Sequence, residues 1–69
     1  MDIKVMNRVR QRRVVADRTQ EDLAEAAGVT RQTIIAIEKG NYTPSVLLAL
    51  RLARILGCPV EDLFYEESE

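Results

Sequence analysis

Residues 19–40 read TQEDLAEAAGVTRQTIIAIEKG. Two stretches that lack glycine and proline stand on either side of Gly28, and each follows a threonine, Thr19 or Thr30. A threonine hydroxyl before a helix accepts hydrogen bonds from the free backbone N–H groups of its first turn, and Asp22 completes a capping-box pattern with Thr19. The pattern predicts one helix that starts at Gln20 and is ended by Gly28, and another from Arg31 to about Glu38, followed by Gly40 in a left-handed conformation.

Gly28 lies in a connection between these helices that is only three residues long, from Ala27 to Val29. Glycine adopts the positive φ that such a tight turn needs, so the two helices are expected to cross steeply. Short helical pairs joined through glycine also occur without any shared function. The apolar positions around the turn are Leu23, Ala24, Ala27, Val29, Ile34 and Ile37. A more specific interpretation is favoured by the joint spacing of Gln20, Ala24, Gly28, Val29, Ile34 and Ile37.

Outside this segment the apolar spacing predicts three more helices. Val5, Met6, Val9, Arg13 and Ala16 recur at three- and four-residue intervals, which favours a first helix from about Ile3 to Val15. Thr43 as a cap and Pro44 at the first helical position favour a fourth helix that runs to about Leu56. Its inward residues are expected to be Val46, Ala49, Leu50, Ala53 and Leu56, and Gly57 and Pro59 separate it from a short helix at 60–64. The fold class predicted is all-α with five helices.

The chain has 69 residues, which is enough for a single small domain that buries about 60% of its unfolded surface. We expect this domain at residues 1–65 and an acidic tail at 66–69. Cys58 has no cysteine partner, and no signal peptide or membrane-spanning run is evident, so a cytoplasmic location is expected. The absence of histidine, metal-ligand clusters and glycine-rich phosphate loops argues against an enzyme, a metal, a cofactor or a small-molecule effector.

The net charge of −1 conceals an uneven distribution. Residues 1–57 carry all ten basic residues and six acids, a net charge of +4, whereas residues 58–69 carry five acids and no base. Because nucleic acids are bound through Lys and Arg at their phosphates, the basic part is the candidate binding surface. The acidic end is either a solvated terminus or a screen against nonspecific DNA.

The sequence resembles the Cro and phage-repressor helix-turn-helix family, often labelled XRE. The resemblance covers nearly the whole chain, and it rests on residues 19–24, 28–34, 36–40, Pro44 and Ser45, and 61–64. It implies a lambda-repressor-like domain with the helix-turn-helix at helices two and three, and it is nearest to minimal members that consist of this domain alone. The implied function is sequence-specific transcription regulation, with double-stranded DNA as the partner.

In this family the third helix lies in the major groove, with its N-terminal end nearest the bases. Arg31 and Gln32 then suit bidentate contacts with guanine and adenine edges. The resemblance adds Ile35 and Ala36 for thymine methyl groups, and Thr33 for a base or a phosphate. The structural alternative for all five is an ordinary exposed helix surface.

Phosphate binding is assigned to the start of the second helix and to the loop after the third. Gln20 and the free N–H groups beside it are expected to hold one phosphate. The other expected phosphate contacts are Thr30, Lys39, Asn41, Tyr42, Thr43 and Arg10, although Tyr42 is equally expected to pack on its loop. The resemblance also pairs Arg13 with Glu38. Arg12 and Arg18 depart from the family pattern and either cover the core with their stems or widen the basic surface.

One domain of this size reads about half of an operator, so a homodimer on a palindrome, acting as a repressor, is expected. The residues expected at its interface are Leu48, Ile55, Phe64 and Tyr65. The alternative function is an antitoxin or a protein-interaction adaptor built on the same fold.

Overall fold

A computed structural model describes residues 3–68. Five helices are framed by two short strands, in the order β1 (Ile3–Asn7), α1 (Val9–Val15), α2 (Gln20–Ala27), α3 (Arg31–Glu38), α4 (Val46–Leu56), α5 (Val60–Leu63) and β2 (Phe64–Ser68). The predicted arrangement of five helices is confirmed, and a two-stranded sheet is added to it. None of the helices within residues 3–68 has the length and apolar character needed to cross a membrane.

The helix boundaries in the central segment follow its local chemistry. The Thr19 hydroxyl accepts a hydrogen bond from the Asp22 backbone N–H at 3.0 Å, and the Asp22 carboxylate accepts one from the Thr19 N–H at 3.3 Å. This is the predicted capping box. Gly28 ends α2 with a φ of 75°, and Thr30 caps α3 through the Thr33 N–H at 3.3 Å. A Cβ on Gly28 would meet only Arg51 at an ordinary 3.8 Å, so the positive φ is what favours glycine there.

The core lies where the helices converge, and it is apolar throughout. Leu23, Ile34, Ile37, Leu52 and Leu63 are among its fully buried side chains, and Ala24 and Ala27 let α2 approach its neighbours closely. None of the residues that form this core is polar or charged. The geometry of α2 and α3 is therefore fixed by apolar packing.

The first helix is shorter than predicted, because residues 3–7 form a strand. β1 pairs antiparallel with β2, with Ile3 opposite Ser68 and Asn7 opposite Phe64. The Asn7 side chain ends the strand: its oxygen accepts from the Val9 N–H at 3.1 Å, and its amide donates to the Ile37 carbonyl at 2.9 Å. The predicted inward face was wrong for Val5 and Ala16, which are exposed, and Met6 is half-buried.

The start and the inward face of α4 also differ from the prediction. The cap is Ser45, whose hydroxyl accepts from the Leu48 N–H at 3.1 Å, and Thr43 lies in the preceding loop. The buried face of α4 is formed by Leu48, Leu52, Ala53 and Leu56. Val46 and Leu50 were expected inside but are 77% and 47% exposed.

The end of the chain is held against its beginning by Arg8. The Arg8 guanidinium donates to the Asp62 carbonyl at 3.0 Å and lies 4.2 Å from the centre of the Tyr65 ring. The last helix ends at Leu63, one residue before the predicted bound, and β2 follows directly. This strand crosses the boundary expected at residue 65 between the domain and the acidic tail, while Glu69 lies outside the described residues.

Candidate nucleic-acid interface

The N-terminal turn of α3 presents polar side chains to solvent. Arg31 and Gln32 are exposed, whereas Ile34 and Ile37 on the opposite side of the helix are buried. Ile35 and Ala36, one turn further along, share the outer face and are half-buried. The five residues expected to meet the bases therefore include four on one face of α3. The fifth, Thr33, is half-buried and its hydroxyl lies 3.1 Å from that of Thr30.

Gln20 is tied to α3 through Glu38. Its side-chain amide donates to Glu38 Oε1 at 3.1 Å. Because an amide nitrogen carries two hydrogens, a second donor of Gln20 is left for another acceptor. The residue expected to anchor the phosphate is thus held in place by the end of the helix expected to read the bases.

Glu38 also makes the ion pair that the resemblance implies. Arg13 Nε donates to Glu38 Oε2 at 2.7 Å, and Arg13 Nη2 donates to Oε1 at 3.3 Å. The two side chains are only 13% and 5% exposed. A third donor of the guanidinium reaches the Arg18 carbonyl at 2.9 Å. The pair joins α1, α3 and the loop before α2 at one point.

Two shallow cavities meet at Gln20. The larger, of about 510 Å³, includes Gln20, Arg18 and Arg31 in its lining. The smaller, of about 340 Å³, includes Gln20, Arg10, Lys39 and Ile35. Three of the expected phosphate contacts, Arg10, Gln20 and Lys39, are thereby brought together beside the outer face of α3.

The loop after α3 begins in a fixed geometry. Gly40 has a φ of 79°, and the Asn41 N–H donates to the Ala36 carbonyl at 2.9 Å. Asn41, Tyr42 and Thr43 are all exposed, and they line neither of the two cavities at Gln20. The structure therefore does not join them to the first group of phosphate contacts.

The larger cavity is also lined by charged residues that were not assigned as DNA contacts from the sequence, among them Arg18, Asp17 and Glu21. Arg18 lies beside Gln20 and Arg31, as the wider basic surface requires. Asp17 lines the same cavity and carries the opposite charge. It lies just after the end of α1 and has a φ of 58°.

The expected interface residues are mostly engaged within the chain. Leu48 is 8% exposed and belongs to the core, so its assignment to a dimer surface was wrong. Ile55 and Phe64 are half-buried and pack against the core, and Tyr65 lies under Arg8. The exposed apolar side chains of α4 are instead Val46, Leu47 and Leu50.

Comparison with known proteins identifies α2, Gly28 and α3 as part of a helix-turn-helix domain. The profile of the helix-turn-helix family matches residues 9–63, which run from the start of α1 to the end of α5. The chain belongs to the helix-turn-helix family. The resemblance to its XRE-type members is confirmed, and β1 and β2 lie outside the matched segment.

Curated relatives are similar to most of this chain. An uncharacterized HTH-type transcriptional regulator of Methanocaldococcus jannaschii is 52% identical over 64 residues, covering 91% of this chain and 97% of the relative. The cryptic phage CTXphi transcriptional repressor RstR of Vibrio cholerae is 35% identical over 57 residues, covering 83% of this chain and 51% of the repressor.

Among solved structures, the restriction-modification controller protein C.AhdI of Aeromonas hydrophila superposes with a TM-score of 0.76 at 30% identity. The match covers 81% of this chain and 85% of that protein. The helix-turn-helix chain is accordingly a transcriptional regulator with a DNA-binding domain, and these relatives are regulators rather than enzymes.

Proposed function

We propose that this helix-turn-helix protein is a sequence-specific repressor that binds a palindromic operator as a homodimer. The observation that carries the proposal is the cavity that Arg31 and Gln20 share, because a side chain suited to reading a base and a side chain suited to binding a phosphate then lie on one surface. Support for repression comes from the relative RstR, which is named a transcriptional repressor.

In this proposal α3 enters the major groove and α2 crosses the phosphate backbone. Arg31 and Gln32 meet base edges, and Ile35 and Ala36 lie against apolar parts of the groove. The second donor of Gln20 hydrogen-bonds to a phosphate, and Arg10, Arg18 and Lys39 neutralise phosphates on either side. Thr30, Asn41, Tyr42 and Thr43 contact the backbone from the two ends of α3.

Selection of bound sites from random double-stranded DNA tests the specificity directly. We expect an enriched palindrome whose half-sites lie about 10 base pairs apart, since two recognition helices on one face of DNA are separated by one turn, about 34 Å. Enrichment of a single half-site would contradict the homodimer. Equal recovery of all sequences would contradict a specific regulator.

The division of roles is tested by Arg31→Ala and Gln20→Ala in fluorescence-anisotropy titrations on the selected site and on single-base variants. Arg31→Ala should lose discrimination at one or two base pairs, a loss of about 1 to 3 kcal/mol. Gln20→Ala should weaken all sites alike.

Arg54→Ala is the matched control for Arg31→Ala. It removes the same charge from the last turn of α4, outside the helix-turn-helix segment, and it should leave base discrimination unchanged. If Arg31→Ala and Arg54→Ala gave the same discrimination profile, Arg31 would not be a base-reading residue.

A further inference from the structure

The strand β1 has one edge that no other part of the described chain covers. Its five residues pair with β2 on one side only, in a sheet of two strands. Ile3 is 57% exposed and Val5 is 44% exposed, although both are large apolar residues. Two-stranded sheets are marginally stable in water, and an unpaired edge is a template for another strand.

The register shows which backbone groups point away from β2. The Arg8 N–H donates to the Leu63 carbonyl at 2.9 Å, directly after the pair of Asn7 and Phe64. In an antiparallel ladder, hydrogen-bonded and non-hydrogen-bonded pairs alternate. Met6 and Lys4 therefore bond to β2, and the N–H and C=O groups of Ile3, Val5 and Asn7 point to the free edge.

The free edge of β2 is poorly suited to pairing with itself. Its outward groups belong to Phe64, Glu66 and Ser68 by the same alternation, and the Phe64 N–H is already bonded to the Val60 carbonyl. A two-fold pairing at Glu66 or Glu67 sets two carboxylates directly opposite each other, which is unfavourable.

The edge of β1 has a register that is free of this conflict. When Val5 lies opposite itself, all five residues of β1 take part, Ile3 faces Asn7, and Lys4 faces Met6. Sliding one β1 strand along the other by two residues, in either direction, puts Lys4 opposite the other copy's Lys4 or Arg8. Two positive charges then lie at closest approach, which is unfavourable. Charge thus selects both the edge and the register.

We propose that a second copy of this chain pairs antiparallel along the free edge of β1, with Val5 opposite the partner's Val5. The result is a continuous four-stranded sheet in which the two β1 strands are central and the acidic β2 strands lie outside. The contact is isologous and closes on itself, so it yields a dimer rather than a filament. This inference rests on the proposed homodimer and names its interface.

Val5→Pro tests the edge, with Glu66→Pro as its matched control. Both prolines remove an N–H that points away from the intrachain ladder, so both leave the pairing of β1 with β2 possible. In sedimentation-velocity experiments over a range of concentrations, Val5→Pro should raise the dimer dissociation constant at least tenfold, and Glu66→Pro should leave it unchanged. An unchanged constant for Val5→Pro, with circular dichroism like that of the unmodified protein, overturns the proposal.

Cysteine cross-linking tests the register. In a background of Cys58→Ser, Val5→Cys should form an intersubunit disulfide on mild oxidation, because residues in a hydrogen-bonded antiparallel pair have Cα atoms about 5.5 Å apart. Glu66→Cys in the same background should stay monomeric on a non-reducing gel. Equal cross-linking of the two variants, or none for Val5→Cys in a protein that sediments as a dimer, excludes this interface.

Failure of the interface is separable from failure of the proposed function. Val5→Pro should still bind DNA that carries one half-site with unchanged base preference, and it should lose affinity only for the full palindrome. If the unmodified protein neither binds a half-site nor selects a sequence, the proposed regulator is wrong. A dimer that binds the palindrome and persists in Val5→Pro refutes the β1 interface alone.

Discussion

Glu38 accepts three hydrogen bonds from side chains on two other parts of the chain, two from Arg13 and one from Gln20. Removal of the carboxylate leaves the Arg13 guanidinium mostly buried, with the Arg18 carbonyl as its one remaining partner. We expect Glu38→Ala to lower the free energy of unfolding by about 3 to 5 kcal/mol, since an uncompensated buried charge is costly. Urea denaturation followed by circular dichroism measures the loss, and Arg13→Ala should also lower the melting temperature sharply.

Gln20→Ala is the control at the same site. It removes one of the three hydrogen bonds but leaves the ion pair, so its cost should be about 1 kcal/mol. Melting of Glu38→Ala and Arg13→Ala within a degree or two of the unmodified protein would show that the pair contributes little. The double variant Arg13→Ala/Glu38→Ala should lose less stability than the sum of the two single variants, because each single change removes the same ion pair.

At the scale of elements, the start of α4 gives a direct comparison between two candidate caps. Ser45→Ala should cost about 1 kcal/mol, because the Ser45 hydroxyl accepts from the Leu48 N–H. Thr43→Ala should change stability by less than about 0.5 kcal/mol, as its side chain is exposed in the loop. Urea denaturation of both variants checks this order, and Ser45→Asp should retain the cap. A larger loss of stability in Thr43→Ala than in Ser45→Ala would show that Thr43 is the cap of α4, as the sequence predicted.

The elements that the sequence predicted well are those whose ends are fixed by neighbouring residues. Thr19 and Thr30 cap the starts of α2 and α3, and Gly28 ends α2; each of these residues lies within four residues of the helix end that it controls. β1 could not be found in this way, because it is stabilised by pairing with β2 at the other end of the chain. Residues 3–16 also satisfy a helical spacing, so periodicity alone favoured the wrong structure for the first five of them.

The sequence predicted the candidate site about as well as it predicted the helices. The helix-turn-helix pattern assigned Arg31, Gln32 and Gln20 to exposed or half-buried positions around α3, where the structure places them. It did not reveal that Gln20 is bonded to Glu38, since that contact depends on how α2 and α3 cross. It also missed Asp17, which reaches the cavity because the chain turns through a positive φ between α1 and α2.

At the scale of the whole molecule, the question is whether net charge or local charge governs DNA binding. The chain measures 36 × 22 × 20 Å, and its charge is divided between a basic part and an acidic end. At physiological ionic strength the Debye length is about 8 Å, so an exposed charge acts mainly on its own surroundings. The position of an acid should therefore matter more than its contribution to the total.

Asp17→Asn and Glu67→Gln change the net charge equally but at different places. Asp17 lines the cavity with Gln20 and Arg31, and asparagine tolerates the same positive φ, so this change should tighten DNA binding about two- to threefold, or about 0.5 kcal/mol. Glu67 lies opposite Lys4 in the sheet, and its neutralisation should leave the affinity for DNA unchanged at 0.15 M salt.

Anisotropy titrations on specific and random DNA measure the affinities of both variants, with Glu25→Gln as a second control. Equal tightening by Asp17→Asn and Glu67→Gln would show that net charge governs binding, and tightening by Glu67→Gln on random DNA alone would identify the acidic end as a screen.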